Sequence, residues 1–211
     1  MTETIDDGVA GLRRRVEELE KQLGQSCAER DESLAQQRAA GEIMRVINTS
    51  PGNLAPVFDA MVEKATELCG AAFGVLWVRD PAGFHAAALR GVPPELEDRI
   101  RKAVSPHPQT GLGRILGGES FVINFDLGLV EGGPEPALAG FEAGCWSIEV
   151  ALRSRETLLG ALTLYRRDAR AFSDRHIVLL QNFAAQAVVA IEIARLITET
   201  REALEQQTAT A

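Results

Sequence analysis

The sequence is short of cysteine, of positive charge and of long apolar runs, and each shortage removes a class of function. Three cysteines, Cys27, Cys69 and Cys145, are scattered through 211 residues. An odd, dispersed set supplies neither a disulfide framework nor a CxxC metal or redox motif, and it points to reducing, cytoplasmic surroundings. Lysine and arginine number 22 against 30 aspartates and glutamates, for a formal net charge of -8. The basic footprint that phosphate backbones require is missing, which argues against nucleic-acid binding. No uninterrupted apolar stretch approaches the roughly 18 residues that cross a bilayer, so no membrane segment is expected. Residues Met1 to Asp7 are acidic and polar, unlike a signal peptide. HExxH, paired carboxylates and Ser/His/Asp sets do not occur, and this leaves no catalytic constellation. His85, His107 and His176 have no carboxylate, His or Cys at ligand spacing, so no metal is expected and no cofactor is assigned.

What is present is an ordinary globular composition, 45% hydrophobic and 25% charged, behind a different N-terminal segment. Val9, Leu12, Val16, Leu19 and Leu23 form a heptad seam that turns polar and recovers at Ala40, Met44 and Ile47. Arg13–Glu17, Arg14–Glu18 and Glu17–Lys21 stand at helical i,i+4 spacing. A helix this polar has too little apolar face to stand alone. It is expected to be a coiled coil with its own copy over 1–49, with a frayed, solvated extension as the competing reading for Met1 to Ser26. Ser50-Pro51-Gly52-Asn53 breaks it. Asn53 is expected to cap a second helix with the stripe Leu54, Val57/Phe58, Met61/Val62, Ala65, Leu68/Cys69, stopped by Gly70.

The period then switches to two. Phe73 to Val78 and Phe84 to Leu89 read as a hairpin around Arg79-Asp80-Pro81-Ala82-Gly83. A short helix from Pro93 to Val104, another near Leu112 to Leu116 and a strand from Ser120 to Asn124 are expected next. A Gly/Pro-rich loop follows from Phe125 to Pro136, then a small helix around Ala137 to Ala143. Strands Trp146 to Arg153 and Leu158 to Tyr165 are joined by a turn at Ser154 to Thr157. Ser173 caps a last long helix with the seam Leu180, Phe183, Ala187, Ala190, Ala194, Ile197, Arg201 and Leu204. The fold class is α+β, with an antiparallel sheet flanked by helices. Glu32-x-Leu34-x-Gln36-Gln37-x-Ala39 repeats as Glu202-x-Leu204-x-Gln206-Gln207-x-Ala209. Either this is chance in polar helices, or each copy is a connector entering and leaving a module.

Pro51 to Ala60, Gly111-Leu-Gly113-Arg, Gly160 to Tyr165, Phe172-Ser-Asp-Arg-His176 and the run from Leu179 to Leu196 resemble a GAF domain. They resemble most the GAF modules of bacterial sensor histidine kinases and nucleotide cyclases. The resemblance covers about Ala40 to Glu202. It implies a six-stranded antiparallel sheet with a ligand pocket on one face and dimerising helices on the other, over 50–198, with 199–211 as a helical tail. It also implies a sensor that passes its signal along coaxial helices. The chain departs from the family pattern at Ile193, where asparagine is usual, at Trp146, where arginine is frequent, and at Glu149 and Arg153, where apolar residues are common.

Gly111-x-Gly113-x-x-x-Gly117 imitates a dinucleotide fingerprint but lacks the preceding strand and a full helix behind it, so the glycines are read as turn glycines. Cys69 and Cys145 fit as small buried hydrophobes. Their placement disfavours a thiol-based methionine sulfoxide reductase, and Cys145-Trp146 lacks the Cys-His pair of pigment-binding relatives. The cyclic-nucleotide signature is only echoed, by Asn124-Phe125-Asp126. Glu149 and Arg153 share a strand face with Ser147 and Ala151. That face is either solvated near an edge, or it carries Glu149 into a pocket with Trp77, Phe125, Trp146 and Tyr165, which His85 would join from its strand. The expectation is thus a non-catalytic sensor, bound to an unidentified small molecule. It would be a homodimer through Val16, Leu19, Leu23, Met44, Ile47, Phe183, Ala187 and Ile197. A kinase or cyclase effector would act in trans or lie beyond this sequence. A ligand-free dimerisation spacer is the structural alternative.

Overall fold

The computed structural model of the chain describes residues 2–49, 53–102, 105–125, 145–168 and 170–209. The expected break at Ser50 to Gly52, most of the Gly/Pro-rich loop, the small helix around 137–143 and the end of the helix expected to reach Val104 lie outside the described residues. The chain divides into two compact units, Met1–Ala39 and Ala40–Ala211.

The first unit is helical throughout its described length, as part of α1 (Thr2–Thr49). No proline interrupts it, and its alternating charges form i,i+4 contacts such as Gln22 Nε2 to Glu18 Oε1 at 2.9 Å. In the single chain Val16, Leu19 and Leu23 are 51, 57 and 65% exposed. The positions Met44 and Ile47 lie on α1, with side chains outside the described ones.

The second unit begins its core with α2 (Ala55–Cys69), whose buried residues Val57, Phe58, Met61, Val62, Ala65, Thr66 and Cys69 repeat at helical spacing. The helix starts one residue later than the expected cap. Leu54 occupies the N-cap with helical dihedrals, and Asn53 supplies its Oδ1 to the Ala55 amide at 3.2 Å from one position further out. Gly70 ends the helix in the left-handed region, φ 56°, donating to Glu67 and Thr66 carbonyls.

Strands β1 (Phe73–Asp80) and β2 (Gly83–Arg90) form a hairpin. Asp80 Oδ1 accepts from the amides of Ala82 at 2.7 Å and Gly83 at 3.1 Å, which closes the turn. The short helices α3 (Pro94–Ile100) and α4 (Gly111–Leu116) precede β3 (Phe121–Phe125). Strands β4 (Trp146–Ser154) and β5 (Thr157–Arg166) form the second hairpin. Among the described residues the sheet has five strands in the order β2-β1-β5-β4-β3, antiparallel at every pairing. Gly160 sits at its centre because a Cβ there would lie 2.0 Å from the Trp77 carbonyl oxygen.

One sheet face receives α2 and α5 (Asp174–Ala209). Ser173 initiates α5, with its amide donating to His176 Nδ1 at 3.1 Å. By length and composition Asp174–Thr200 would suffice to cross a membrane, although no uninterrupted apolar run in it reaches that length. In this fold Leu179, Leu180, Phe183, Ala184, Ala187 and Ala190 of that stretch are buried, so it serves as a core helix.

The opposite face carries a second core of Phe73, Val75, Trp77, Phe84, Leu96, Ile100, Leu112, Ile115, Val122, Leu158, Ala161 and Tyr165. Here α3 and α4 cover the sheet, so the candidate site must be sought among these side chains.

Candidate functional site

Strand alternation and register decide which residues meet. Phe73 pairs with Tyr165 and Tyr165 with Ser147; Val75 pairs with Thr163 and Thr163 with Glu149; Trp77 pairs with Ala161 and Ala161 with Ala151. Side chains in register share a face, so Trp77, Tyr165 and Glu149 point to the α4 side together. Across β3 the same face continues through Val122, opposite Glu149, and Asn124, opposite Ser147.

The remaining three expected site residues are not brought to this face. Trp146 and Phe125 are partners in register on the other side, with ring centroids 4.7 Å apart, and Phe125 is 55% exposed. His85 pairs with Val78, one residue out of phase with Trp77, and its Nε2 lies 2.8 Å from Asp80 Oδ2 at the hairpin turn. Burial would raise the Asp80 carboxyl, but the Ala82 amide and His85 hold it below its ordinary value. The six-residue grouping is corrected to Trp77, Glu149 and Tyr165, since odd and even positions of a strand cannot share a pocket.

Glu149 is 3% exposed, which overturns the reading of a solvated edge. β4 lies one strand in from the β3 edge, and α4 closes over it. Gly111, the first residue of α4, permits this approach, because a Cβ there would stand 2.3 Å from Glu149 Cδ. Thr110 caps α4 by accepting from the Gly113 amide at 3.1 Å. Gly113 in turn lies so close to the loop before it that a Cβ would be 2.0 Å from the His107 carbonyl oxygen. These glycines serve close packing, in agreement with their reading as structural.

A polar chain leads from Glu149 to the surface. Asn124 Nδ2 donates to Glu149 Oε2 at 3.3 Å, and Asn124 Oδ1 accepts from Arg114 Nη1 at 3.4 Å. Arg114 also grips Glu119, with Nε to Oε1 at 2.7 Å and Nη2 to Oε2 at 2.8 Å. The Glu119 carboxylate, and at longer range that of Glu149, raise the Arg114 guanidinium above its ordinary value against the opposing effect of burial. The same bidentate pair holds the Glu119 carboxyl below the usual glutamate range. Arg153 Nη2 donates to the Ile115 carbonyl at 2.6 Å, at the end of α4.

Trp77 satisfies its indole N–H on Thr163 Oγ1 at 3.1 Å. Ser147 is fully buried, and its hydroxyl has no hydrogen-bond partner among the described residues. The strip Asn124, Ser147, Glu149 and Thr163 is thus polar ground within an apolar core, beside the stacked rings of Phe73 and Tyr165, 4.3 Å apart. The sequence reading missed Arg114, Asn124 and Ser147 as site residues. Ser147 was signalled by sharing alternation with Glu149, whereas Arg114 and Asn124 meet it only through the packing of α4 on β3.

Of the expected dimerisation residues, Phe183 and Ala187 are each 1% exposed and belong to the protomer's own core, whereas Ile197 is 39% exposed. Among the described residues, the large apolar side chains that α5 leaves at its surface are Val178, Val189, Ile193, Leu196, Ile197 and Leu204. Cys69 and Cys145 are buried, as small hydrophobes would be.

A family model described as GAF domain matches residues 53–192. No curated protein matches the sequence. Among solved structures, the GAF domain from a phosphoenolpyruvate-protein phosphotransferase of Coxiella burnetii is similar, with 16% identity over 79% of this chain and 98% of that one, TM-score 0.63. The phycoerythrobilin-bound GAF domain from a cyanobacterial phytochrome is similar, with 18% identity over 79% of this chain and 99% of that one, TM-score 0.63. The free methionine-R-sulfoxide reductase from Neisseria meningitidis in complex with its substrate has 14% identity over 77% of this chain and 91% of that one, TM-score 0.61. At these identities the likeness is one of fold.

Proposed function

The chain belongs to the GAF domain family, and from that membership we propose that it is a non-catalytic, cytoplasmic sensory module. It binds a small molecule on the α4 face of its sheet and relays the state through α5 in a homodimer to a kinase or cyclase effector. The observation that carries this reading is the buried strip of Ser147 and Glu149, linked by Asn124 to Arg114. A few oriented polar groups within an apolar wall are what small-molecule sites provide. Among the described residues the buried Ser147 hydroxyl has no hydrogen-bond partner, and a bound polar group would supply one.

Relay follows from the coupling of sheet and helix. Ser154, at the end of β4, hydrogen-bonds Glu192 on α5. A ligand that favours one arrangement of β3, β4 and α4 shifts the population of α5 positions by its differential affinity. The face of α5 suited to the dimer is the exposed one, Val189, Ile193 and Leu196, in place of Phe183 and Ala187. A thiol reductase is disfavoured, because Cys69 and Cys145 are 1% and 3% exposed and a reactive thiolate needs access.

The spacer reading is favoured by a specific observation too: Phe73, Trp77 and Tyr165, each 1% exposed, fill much of the same face with the chain's own rings. Mass spectrometry and absorbance of protein purified from its own host separate the two. A bound small molecule supports the sensor. An empty protein that shows no thermal shift across a metabolite panel supports the spacer.

A further inference from the structure

The sheet has an open edge at β2. Among the described residues β2 pairs with β1 alone, so alternate N–H and C=O groups along its outer side have no ladder partner. An open groove of about 350 Å³ lies beside this edge. It is lined by Ala87 and Leu89 of the strand, Gly91 just after it, Asp59 of α2, Glu97 of α3 and Arg101 just beyond α3. Gly91 takes the left-handed region, φ 68°, where the chain leaves β2 for α3. The two walls come from opposite faces of the sheet. α2 packs on the α5 side, whereas Leu96 and Ile100 of α3 belong to the core on the other. A strand added to β2 would turn successive side chains alternately toward the α2 wall and the α3 wall.

Sheet edges are commonly blunted by lysine, by proline or by a covering element. Gly83 to Arg90 contains neither residue, and the small side chains of Ala86, Ala87 and Ala88 leave the backbone open to approach. One protective device is present, a bulge at Ala87: Trp77 pairs with Ala86 and Leu76 with Ala88, and the register skips the residue between. The bulge breaks a long flat pairing and leaves Ala88 to Gly91, three steps or about 10 Å, for a short one.

The charges of the groove select the occupant. Arg101 is engaged by Glu97, with Nε and Nη2 at 3.0 and 2.6 Å from the same Oε1. Neighbouring Arg90 is held by Glu63 at 2.7 Å. Asp59 is exposed and has no ion pair or hydrogen bond among the described residues. The charged lining is thus two carboxylates against one guanidinium, and the uncompensated group is Asp59. Edge-to-edge pairing with a second copy would bring the same acidic lining onto itself across a two-fold axis, and like charges oppose it. An extended segment that carries a lysine or arginine is complementary.

We propose that β2 is a docking edge for an extended, basic segment of a partner protein, which pairs with Ala88 to Gly91 as an added strand and sets a lysine or arginine against Asp59. Main-chain hydrogen bonds give affinity, and the charge gives selectivity. This surface is separate from the α4 face, so it does not depend on the sensory reading.

The test uses the full chain and a pentapeptide of valine and threonine with one central lysine, blocked at both ends, followed by calorimetry and by amide chemical shifts. Binding is expected, with shifts concentrated at Ala87 to Gly91. A central glutamate should weaken it about tenfold, and N-methylation of alternate peptide amides, which keeps the charge and removes donors, should do so by about tenfold or more. Asp59→Asn should weaken it about threefold, as loss of an exposed charge pair does, with the melting temperature of the free protein unchanged. Equal binding of the N-methylated peptide overturns strand addition, since the acidic surface alone then accounts for the signal. Equal binding of the glutamate peptide, or indifference to Asp59→Asn, overturns the choice of a basic partner. Blocked lysine that binds as tightly as the pentapeptide would make the groove a site for a small cation, and the docking edge fails. Silence from the peptides, with Ala87 to Gly91 shifting only as protein concentration rises, assigns the edge to a second copy and overturns the partner. Silence without such shifts overturns the docking edge outright, and every one of these outcomes leaves the α4 face to its own experiment.

Discussion

Gly111 lies against the carboxylate of Glu149: a Cβ on residue 111 would stand 2.3 Å from Glu149 Cδ and 2.5 Å from Oε1. The carboxylate is buried and cannot swing into solvent, so an added methyl must displace it or lift α4. Gly111→Ala is expected to cost about 1–3 kcal/mol through overpacking, offset in part by up to ~1 kcal/mol of helix propensity. In a Glu149→Ala background the same substitution should become neutral or stabilising, which urea denaturation of the double-mutant cycle measures. Gly113→Ala meets the backbone carbonyl of His107 at 2.0 Å instead, and no side-chain change relieves that contact. It should remain destabilising in either background.

Ser147→Ala should raise stability. A buried hydroxyl without a partner costs about 1–3 kcal/mol, and Ser147 is fully buried with none among the described residues. Replacing it with alanine removes that cost and leaves a small, apolar side chain opposite Tyr165. An unchanged or lowered denaturation midpoint would mean that the oxygen is bonded in the protein, and the argument for an open acceptor in the site would fail.

The elements were legible where a single period governs a segment. The stripe of α2, both hairpins and the start of α5 at Ser173 follow from spacing, turn residues and caps. The site was half legible. Alternation on β4 correctly grouped Ser147, Glu149, Ala151 and Arg153, but it carries no information about which face α4 covers. The expected pocket includes Trp146 and Phe125, but their phase on β4 and β3 sends them to the other side. Phe183 and Ala187 illustrate a related ambiguity. A long helix that packs on a sheet and also presents an outer stripe has two apolar seams, and a heptad count does not say which one faces inward.

The two faces of α5 therefore predict different phenotypes. Phe183→Ala should cost about 3–5 kcal/mol of stability, as deletion of a buried phenylalanine does. Ile193→Glu and Leu196→Glu lie on the exposed face and should change monomer stability by no more than about 0.5 kcal/mol. The proposed homodimer predicts that light scattering finds the parent dimeric and the double variant monomeric at the same concentration. If the oligomeric state does not respond to those two charges, the relay through that face of α5 is wrong.

The Arg114–Glu119 pair predicts an acid limit for the polar chain. The guanidinium holds the folded Glu119 carboxyl below the usual range, so the unfolded chain binds the proton more readily. The pair's contribution is then fully present above the ordinary glutamate value of about 4.3 and is lost as pH falls through the lower folded value. Glu119→Gln removes this dependence. The difference in melting temperature between parent and variant should be constant from neutrality to about pH 5 and shrink below it. A difference that instead changed between neutral and alkaline pH would assign the effect to another group. Both side chains are largely exposed, and added salt should reduce the difference at every pH.

Arg166 ties the sheet to the segment that leads into α5, and its removal should loosen that junction before the rest of the fold. Its Nη2 donates to the Cys69 carbonyl at the end of α2, while Nη1 reaches the carbonyls of Arg170 at 3.4 Å and Ala171 at 3.3 Å, just before α5. The guanidinium carbon also lies 4.8 Å from the centroid of the Phe172 ring. Arg166→Met keeps an unbranched stem over that ring but leaves these acceptors without their donor, at a cost of about 2–4 kcal/mol. Arg166→Lys retains the charge without the planar fork that serves carbonyls on two sides, so it should recover only part of the loss. Hydrogen exchange distinguishes a junction from a generic core residue. In Arg166→Met the amides at the start of α5 should lose protection ahead of those in β4 and β5. Uniform loss across the sheet would show that Arg166 supports the whole domain and has no special part in carrying a signal to α5.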